Sequence, residues 1–401
     1  PRAFGTILQP ADLPRIDSDQ NEGSFGIYGL GVFVRGLFSN LLRFSGLDEF
    51  HIFTTGFPGE RHPEFGLASD PRVRLRPLTE FPSAIREDNF AILHNPWGPD
   101  IGPWVDLRNR LASRNIPVTG LTHTISFQSM LPRLLLTLLL DAKPWDSIVC
   151  TAEPAVAAMR NWLSHLRSHL SPRVNLDFDI RFDKVPLAVD VDSFRSGGDV
   201  GEHRRRLNLP ENQVIALYFG RFSAYDKMDL APLLLAFKKA LEERSERTML
   251  VMAGADSRFQ YAAQVQSVAS TLGISDSVRI LRDIPAQDVA RLYQAADIFV
   301  SPSDNLQETF GLTVVEAMAS GLPVVCSDWD GYRDLVVDGE TGFLIPTYCR
   351  PCDSSVADLA TMWEPEPAHF YLGQTVAVDV DRMATALGRL IASAELRKEM
   401  G

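Results

Sequence analysis

Short apolar runs alternate along the chain with longer stretches in which apolar residues recur at helical spacing. The short runs are typical of buried strands, and the longer stretches are typical of helices that cover a sheet. The repeated order of strand, loop and helix predicts parallel α/β sheets. In the first half of the chain the predicted strands are 49–55, 91–94, 118–123 and 147–151, and the predicted helices are 32–44, 103–113 and 155–170.

The second half repeats this pattern after a break. A glycine-rich turn at 195–198 separates the two series, so we predict domains at 1–194 and 195–401. Segment 346–374 is predicted to be irregular. The α/β fold expected is two Rossmann-like, doubly wound domains facing a central cleft, with ligands at the carboxyl ends of the strands. The second series has predicted strands at 214–220, 248–254, 277–281, 297–302 and 323–328, and predicted helices at 230–243, 260–272 and 287–294.

Composition and charge narrow the class of protein. The 401 residues are 45% hydrophobic and 22% charged, which is ordinary globular usage and excludes disordered, collagen-like and disulfide-rich chains. Of the net charge of −12, the part through residue 190 contributes −2 and the remainder −10. No basic stripe is present, so we expect no nucleic-acid partner. The nearly neutral first half leaves peripheral contact with an anionic membrane surface open.

The apolar segments and the cysteines bear on location. No apolar run reaches the ~18–20 residues of a membrane-spanning helix, so we expect a soluble, cytoplasmic protein. The leucine-rich stretch 130–140 fits a buried helix or one facing an acceptor or membrane, and the buried interpretation is favoured. Cys150 and Cys326 stand in strand-like runs, as buried free thiols do. Cys349 and Cys352 form a single C-x-x-C pair, which favours a plain loop over zinc, and such thiols fit a reducing compartment.

The segment with the strongest chemical pattern is 301–327, SPSDNLQETFGLTVVEAMASGLPVVCS. A strand is predicted to end before it, and a polar loop leads to a helix at about 312–320 that stops at Gly321. Glu308 stands in the loop and Glu316 in the helix, where carboxylates beside a phosphate site can hold the hydroxyls of a sugar or ribose. The predicted helix N-terminus, whose free backbone N–H groups suit a phosphate, comprises Phe310, Gly311, Leu312 and Thr313.

A second pattern, Gly220-Arg-Phe-Ser-Ala-Tyr-Asp-Lys227, directly follows a predicted strand. Arg221 can bind phosphate oxygens with two parallel hydrogen bonds, and Lys227 supplies a point charge. Two cations at the carboxyl end of a strand suit the growing negative charge of a departing diphosphate. A solvated loop is the alternative interpretation.

With these motifs the chain resembles the family-4-type retaining glycosyltransferases of the GT-B fold. The resemblance covers nearly the whole second half, including GRFSAYDK, LVMAGAD, the run from RLYQAADIFV to GETGFLIP, and ALGRLIASAELRKEMG. The first half carries it more thinly, in a glycine-rich loop, a strand ending in His, TAEPAV and VPLAVDVDSF. The resemblance implies that Glu308 contacts the transferred sugar and Glu316 the nucleotide ribose. It also implies diphosphate contacts from Arg221, Lys227 and the backbone amides of Phe310, Gly311 and Leu312.

The resemblance implies further roles in the first domain. The glycine-rich loop 23–31, which includes Gly29 and Gly31, corresponds to a loop that closes over the donor phosphate and the acceptor. A tight turn alone is the alternative explanation for these glycines. His123, at the end of a predicted strand, corresponds to a histidine beside the donor sugar, although an isolated histidine also occurs without a catalytic role.

The resemblance also has gaps. It implies that backbone near Asp283 and Ile284 holds the nucleobase, so side chains there do not reveal which base is bound. Met228 stands where the family has glycine after the lysine, and VPLAVD stands where the family reads P-N-G-V-D. The chain stops at Gly401, so the resemblance implies that a long C-terminal helix returning to the first domain is incomplete or absent.

Asp-x-Asp pairs, the metal-binding motif of another glycosyltransferase fold, occur at 177/179, 190/192, 328/330 and 379/381. Their number is close to chance for this composition, and their contexts do not favour a nucleotide–metal site. We therefore predict no metal and no cofactor, with a nucleotide-diphosphate sugar as co-substrate. Arg221, Lys227 and a helix terminus are expected to supply the charge that a metal would bring.

These observations together predict a retaining hexosyltransferase. It would move a hexose-type sugar from a nucleotide-diphosphate sugar, UDP or GDP first, to a hydroxyl of a glycan, lipid-linked or small-molecule acceptor, as in polysaccharide biosynthesis. A nucleotide-sugar epimerase or hydrolase of the same fold, or an inactive nucleotide-sugar-binding module, are the alternatives.

Overall fold

A computed structural model of the protein describes residues 1–8, 29–55, 70–127, 129–170, 180–195, 198–242, 247–256, 260–360 and 362–401. The chain divides into two compact units, Pro1–Leu187 and Ala188–Gly401. Each unit is built on its own parallel sheet, as the sequence predicted.

The first unit is an α/β layer structure. Its strands are β1 (Ala3–Ile7), β2 (Glu49–Thr54), β3 (Val73–Pro77), β4 (Phe90–Asn95), β5 (Val118–Leu121), β6 (Ser147–Cys150) and β7 (Arg181–Lys184). Its helices are α1 (Gly29–Phe44), α2 (Phe81–Glu87), α3 (Gly102–Leu111), α4 (Met130–Leu139) and α5 (Glu153–Leu170). Over the described residues the strands pair in parallel in the order β3-β2-β1-β4-β5-β6-β7.

The second unit has the same architecture. Its helices are α6 (Val191–Phe194), α7 (Val200–Arg206), α8 (Ala231–Glu242), α9 (Tyr261–Thr271), α10 (Ala286–Gln294), α11 (Leu312–Ala319), α12 (Ser354–Ala360), α13 (Pro365–Gly373), α14 (Val380–Ala392) and α15 (Ala394–Met400). Its strands are β8 (Val214–Phe219), β9 (Thr248–Gly254), β10 (Val278–Arg282), β11 (Ile298–Ser301), β12 (Val324–Ser327), β13 (Gly342–Ile345), β14 (Thr347–Cys349) and β15 (Val376–Val378). The parallel sheet has the order β10-β9-β8-β11-β12-β13, and β14 pairs antiparallel with β15.

Strand β8 lies at the centre of this second sheet and is buried on both faces. Tyr218 packs in a cluster with Phe237 of α8, whereas its neighbour Leu217 packs in a separate cluster with Tyr293 of α10. Successive side chains of a strand point to opposite faces, so helices cover the sheet from both sides. The strand order reverses at β8, which lies between β9 and β11. Such a reversal opens a crevice at the carboxyl ends of the two strands, where ligands of doubly wound sheets bind.

Two predicted boundaries in the first unit are wrong. Helix α1 begins at Gly29, so Gly29 and Gly31 lie in its first turn rather than in a preceding loop. The remainder of the predicted loop, 23–28, lies outside the described residues. Strand β5 ends at Leu121, so His123 follows the strand by two residues instead of ending it.

The prediction that segment 346–374 is irregular is wrong. The segment contains β14, α12 and α13, and β15, which follows it, pairs antiparallel with β14. The division between the units also falls seven residues before the predicted position of 194/195. The reason is that α6 packs on the second unit, with the Phe194 and Tyr293 ring centroids 5.7 Å apart and the Gln294 side chain donating to the Phe194 carbonyl.

The leucine-rich stretch and the cysteines fall mainly as expected. Helix α4 buries Leu134 and Leu138, while Leu136 and Leu139 on its other side are exposed. None of the described helices is both long and apolar enough to cross a membrane. All four cysteines are free thiols, two of them buried: Cys150, Cys326, Cys349 and Cys352.

Candidate active site

The loop after β8 presents two cations at the carboxyl end of the sheet. It starts at Gly220, whose amide donates to a carbonyl of β9 at 3.0 Å. Phe222 and Met228 are each 1% exposed and anchor the loop in the hydrophobic core. Met228, which replaces the family's glycine, is therefore a core residue. Between these two anchors the loop carries Lys227, and Arg221 directly precedes the first of them.

Both cations of this loop have an acidic partner. Arg221 Nη1 lies 2.6 Å from Asp226 Oδ2. Lys227 Nζ is hydrogen-bonded to Glu308 Oε2, and the side chains of this pair are only 16% and 15% exposed. The structure thus brings together the loop after β8 and the loop after β11, and with them two of the residues that the sequence selected.

The carboxylate of Glu308 has a second neighbour. Tyr332, which is fully buried, places its hydroxyl 3.4 Å from Glu308 Oε2 and 2.7 Å from Ser301 Oγ. Burial raises the pKa of Tyr332 well above its ordinary value, so its hydroxyl stays protonated and can donate. Glu308 is therefore held by an ammonium group and a phenol, and 15% of its side chain remains exposed.

Helix α11 begins four residues after Glu308. Its N-cap, Gly311, has a φ of 104°, and no described side chain caps the helix. A Cβ at residue 311 would lie 2.4 Å from Cε1 of Tyr332, so both the backbone angle and the available space require glycine. The amides of Leu312 and Thr313, at the start of the helix, have no intrahelical acceptor and suit an anion.

Glu316 lies in the second turn of α11 and is buried. The hydroxyl of Tyr293 on α10 donates to Glu316 Oε2 at 2.7 Å. Burial raises the pKa of Glu316 to about 7, although this hydrogen bond opposes the shift. A carboxyl group in this position accepts hydrogen bonds best when ionised, as a ribose contact would require.

Two carboxylates that the sequence analysis did not select tie these loops together. Asp304 Oδ1 accepts from the amide of Asp229 at 2.9 Å, and Asp330 Oδ2 accepts from the amide of Glu308 at 2.7 Å. Burial raises the pKa of both Asp304 and Asp330 to about 7. The only signal in the sequence was the presence of acidic residues just after two strands, β11 and β12.

The loop predicted to hold the nucleobase also starts at the carboxyl end of the sheet. Asp283 and Ile284 directly follow β10, which is two strands away from β8. Asp283 adopts a φ of 53°, and its amide donates to the carbonyl of Gly254 at the end of β9, 2.9 Å away. The segment therefore turns sharply at the strand end and presents backbone there.

Comparison with known proteins decides the family of this half of the chain. The family model described as "Glycosyl transferases group 1" matches residues 199–362, which include Arg221, Lys227, Glu308 and Glu316. Residues 199–362 form a group 1 glycosyltransferase domain. A D-inositol 3-phosphate glycosyltransferase of Geodermatophilus obscurus is 38% identical over 165 residues, which cover 40% of this chain and 36% of that protein. The chain spans less than half the length of the curated relatives it matches.

Solved structures resemble the chain over nearly its whole length. Sucrose-phosphate synthase from Thermosynechococcus elongatus is 21% identical with a TM-score of 0.58, over 96% of this chain and 95% of that one. Anabaena HepE in complex with UDP is 15% identical with a TM-score of 0.59, over 98% of each chain. Likeness at this identity shows the fold alone. The predicted GT-B fold, with two Rossmann-like domains, is thereby confirmed.

Other residues selected from the sequence lie outside the group 1 glycosyltransferase domain. His123 is an exposed residue of the first unit, with its Nδ1 3.0 Å from the hydroxyl of Thr124. Gly29 and Gly31 belong to the same unit. The donor-side roles predicted for these three residues stay predictions.

The acidic pairs that lie in the described part of the chain have structural partners. Among the described residues, no group of three or more His, Cys, Asp or Glu side chains is close enough to hold a metal ion. Asp190 caps α6, Asp379 caps α14, and Asp328 Oδ1 lies 2.6 Å from Arg333 Nε. The pair at 177/179 lies outside the described residues.

The buried Glu316 makes the stability of the group 1 glycosyltransferase domain depend on pH. Its folded pKa of about 7 exceeds the unfolded value of about 4.3, so its contribution to stability is full below about pH 4 and lost as the pH rises through 7. We expect Glu316→Gln to reduce the fall in Tm between pH 5 and 8 by about 2–4 °C, as measured by calorimetry of the ligand-free protein. Glu340→Gln, at an exposed position, is the control. An unchanged pH profile in Glu316→Gln would contradict the assignment.

Proposed function

We propose that the protein is a retaining glycosyltransferase that moves a hexose-type sugar from a nucleotide-diphosphate sugar to a hydroxyl acceptor. The observation that carries the proposal is the Lys227–Glu308 ion pair at the point where the strand order of the second sheet reverses. Arg221 and the N-terminus of α11, which no described side chain caps, also lie at the carboxyl end of this sheet. Together these groups offer an acceptor for sugar hydroxyls and positive charge for a diphosphate.

In the proposed reaction the bond between the anomeric carbon and the diphosphate oxygen breaks through an oxocarbenium-like state. Glu308 holds the hydroxyls of the sugar, while Arg221, Lys227 and the first-turn amides of α11 stabilise the charge that develops on the diphosphate. The leaving phosphate oxygen takes the proton of the acceptor hydroxyl on the same face, so the new glycosidic bond keeps the anomeric configuration. No enzymic base and no metal is required.

UDP is the first nucleotide to test, because a structure similar to the whole chain is a complex with UDP. GDP is the second. For the acceptor we retain the three classes named from the sequence: a glycan, a lipid-linked saccharide or a small molecule, as in polysaccharide biosynthesis. A cytoplasmic location is part of the proposal and agrees with the four free cysteines.

Calorimetric titration with UDP, GDP and ADP, in Mg²⁺ and in EDTA, tests the donor site. We expect one diphosphate to bind with a Kd of about 1–100 μM that EDTA leaves unchanged, because protein groups supply the positive charge. Binding that disappears in EDTA would contradict metal independence. Absence of binding by all three would contradict the donor site.

The sugar conjugate of the bound nucleotide then tests the reaction. Incubated with representatives of the three acceptor classes, it should yield a glycoside whose anomeric proton, followed by NMR, has the configuration of the donor. Inversion would contradict the retaining mechanism. Free sugar or an epimer formed without acceptor would favour the hydrolase or epimerase, and binding without any turnover would favour the inactive module.

A further inference from the structure

The segment that follows β12 encloses the loop that carries Glu308. Asp330 Oδ2 accepts from the amide of Glu308 at 2.7 Å, and the amide of Gly331 donates to the carbonyl of Glu308 at 2.9 Å. The hydroxyl of Tyr332 lies 3.4 Å from Glu308 Oε2. We call residues 330–332 the Glu308 clamp, because they contact both peptide groups and the carboxylate of that residue.

The backbone of the Glu308 clamp adopts an unfavourable conformation. Asp330 has a φ of 45°, in the left-handed region that residues other than glycine seldom adopt. At Gly331 a Cβ would lie 2.5 Å from the carbonyl oxygen of Thr309, so the two segments touch through their backbones. Strained residues persist where the surrounding structure holds them in place, and they concentrate at functional sites.

The carboxylate of Asp330 faces the loop that carries Glu308. Burial and the negative charges of Glu308 and Asp334 raise the pKa of Asp330, whereas the Glu308 amide and Arg333 lower it. Asp328, two residues earlier, pairs instead with Arg333 at the surface. The two acids of this D-x-D pair therefore serve different structures, one the Glu308 loop and the other an exposed arginine.

We propose that Asp330 is a positioning residue that fixes the direction in which Glu308 presents its carboxylate to the donor sugar. This inference rests on the proposed role of Glu308 in sugar binding. Asp330 contacts the backbone of Glu308. The nucleotide contacts are assigned to other groups: the side chains of Arg221, Lys227 and Glu316, and the first amides of α11. Loss of Asp330 should therefore slow turnover without weakening the binding of the nucleotide.

Three variants test the proposal in the intact chain. Asp330→Ala removes the acceptor for the Glu308 amide, Asp330→Asn keeps an oxygen in the same place without the charge, and Asp328→Asn is the matched control. With UDP-glucose as the first probe, we expect Asp330→Ala to lower kcat about tenfold while the Kd of UDP changes by less than about threefold. Asp330→Asn should recover most of the turnover, and Asp328→Asn should match the unmodified protein.

Hydrogen–deuterium exchange followed by mass spectrometry gives a readout that does not depend on activity. In the ligand-free protein, peptides spanning 303–312 should exchange about tenfold faster in Asp330→Ala and at the original rate in the other two variants. Unchanged exchange in Asp330→Ala would overturn the clamp. A Kd for UDP weakened as much as kcat would overturn the positioning role. Failure of the unmodified protein to turn over any conjugate would count against the proposed function, while the exchange rates would still decide the clamp.

Discussion

Glu308→Gln is expected to lower turnover about 100- to 1,000-fold while leaving the affinity for UDP unchanged or tighter. In the ligand-free protein the carboxylate of Glu308 is paired with Lys227. Glutamine lacks the negative charge that would hold the sugar and stabilise the positive charge that develops on it. The same change releases Lys227 for the diphosphate, so nucleotide binding should not suffer.

Glu316→Gln is the contrasting variant for this prediction. Glu316 is assigned to the ribose, so its loss should raise the Kd of UDP about tenfold and change kcat at saturating donor by less than about threefold. Calorimetry gives the Kd, and initial rates at saturating donor give kcat. If both variants lost turnover and affinity in the same proportion, the separate assignments of Glu308 and Glu316 would be contradicted.

Arg221→Ala is expected to weaken the binding of UDP about 100-fold. A guanidinium group that donates two charge-assisted hydrogen bonds to a diphosphate contributes about 1.5–3 kcal/mol, and alanine removes all of it. In the ligand-free protein this guanidinium is paired with Asp226 at 2.6 Å. Asp226→Asn should therefore have the opposite effect and tighten UDP binding by about threefold, because it removes the competing carboxylate.

Lys238→Ala is the control for Arg221→Ala, because each change removes one positive charge. Lys238 lies on α8 and pairs with Glu242 of the same helix at 3.7 Å, so its loss does not touch the candidate site. Calorimetric titration with UDP at one salt concentration compares the three variants. A Kd for Arg221→Ala equal to that of Lys238→Ala would show that Arg221 serves only as the partner of Asp226.

The sequence predicted those residues of the candidate site that lie close together along the chain. Glu308, Gly311 and Glu316 lie within nine residues of one another, and the loop–helix pattern around them has a direct physical interpretation. Asp304 and Asp330 could not be predicted in the same way. Their partners are backbone amides 75 residues before Asp304 and 22 residues before Asp330, and a contact to the main chain leaves no pattern of side chains to detect.

The sequence placed two interior strands of the second sheet well but missed other strands, among them β1, which is buried and lies inside the first sheet. Strands β8 and β9 are continuous apolar runs and were placed to within one residue. The edge strands β3 (VRLRP) and β7 (RFDK) were missed, because their outward positions are charged, as edge strands that avoid unwanted pairing tend to be. The helices and strands of the segment from β14 to β15 were not predicted, because they are short and mixed in polarity.

The two ion pairs of the ligand-free site also bear on which anions it can discriminate. Arg221 and Lys227 are both engaged by carboxylates before any ligand arrives. A lone inorganic phosphate competes with these carboxylates for the two cations and offers nothing to Glu308 in return. A sugar joined to a diphosphate can occupy both cations and also give Glu308 new hydrogen bonds from its hydroxyls. We therefore expect the ligand-free site to bind a nucleotide-diphosphate sugar in preference to small anions.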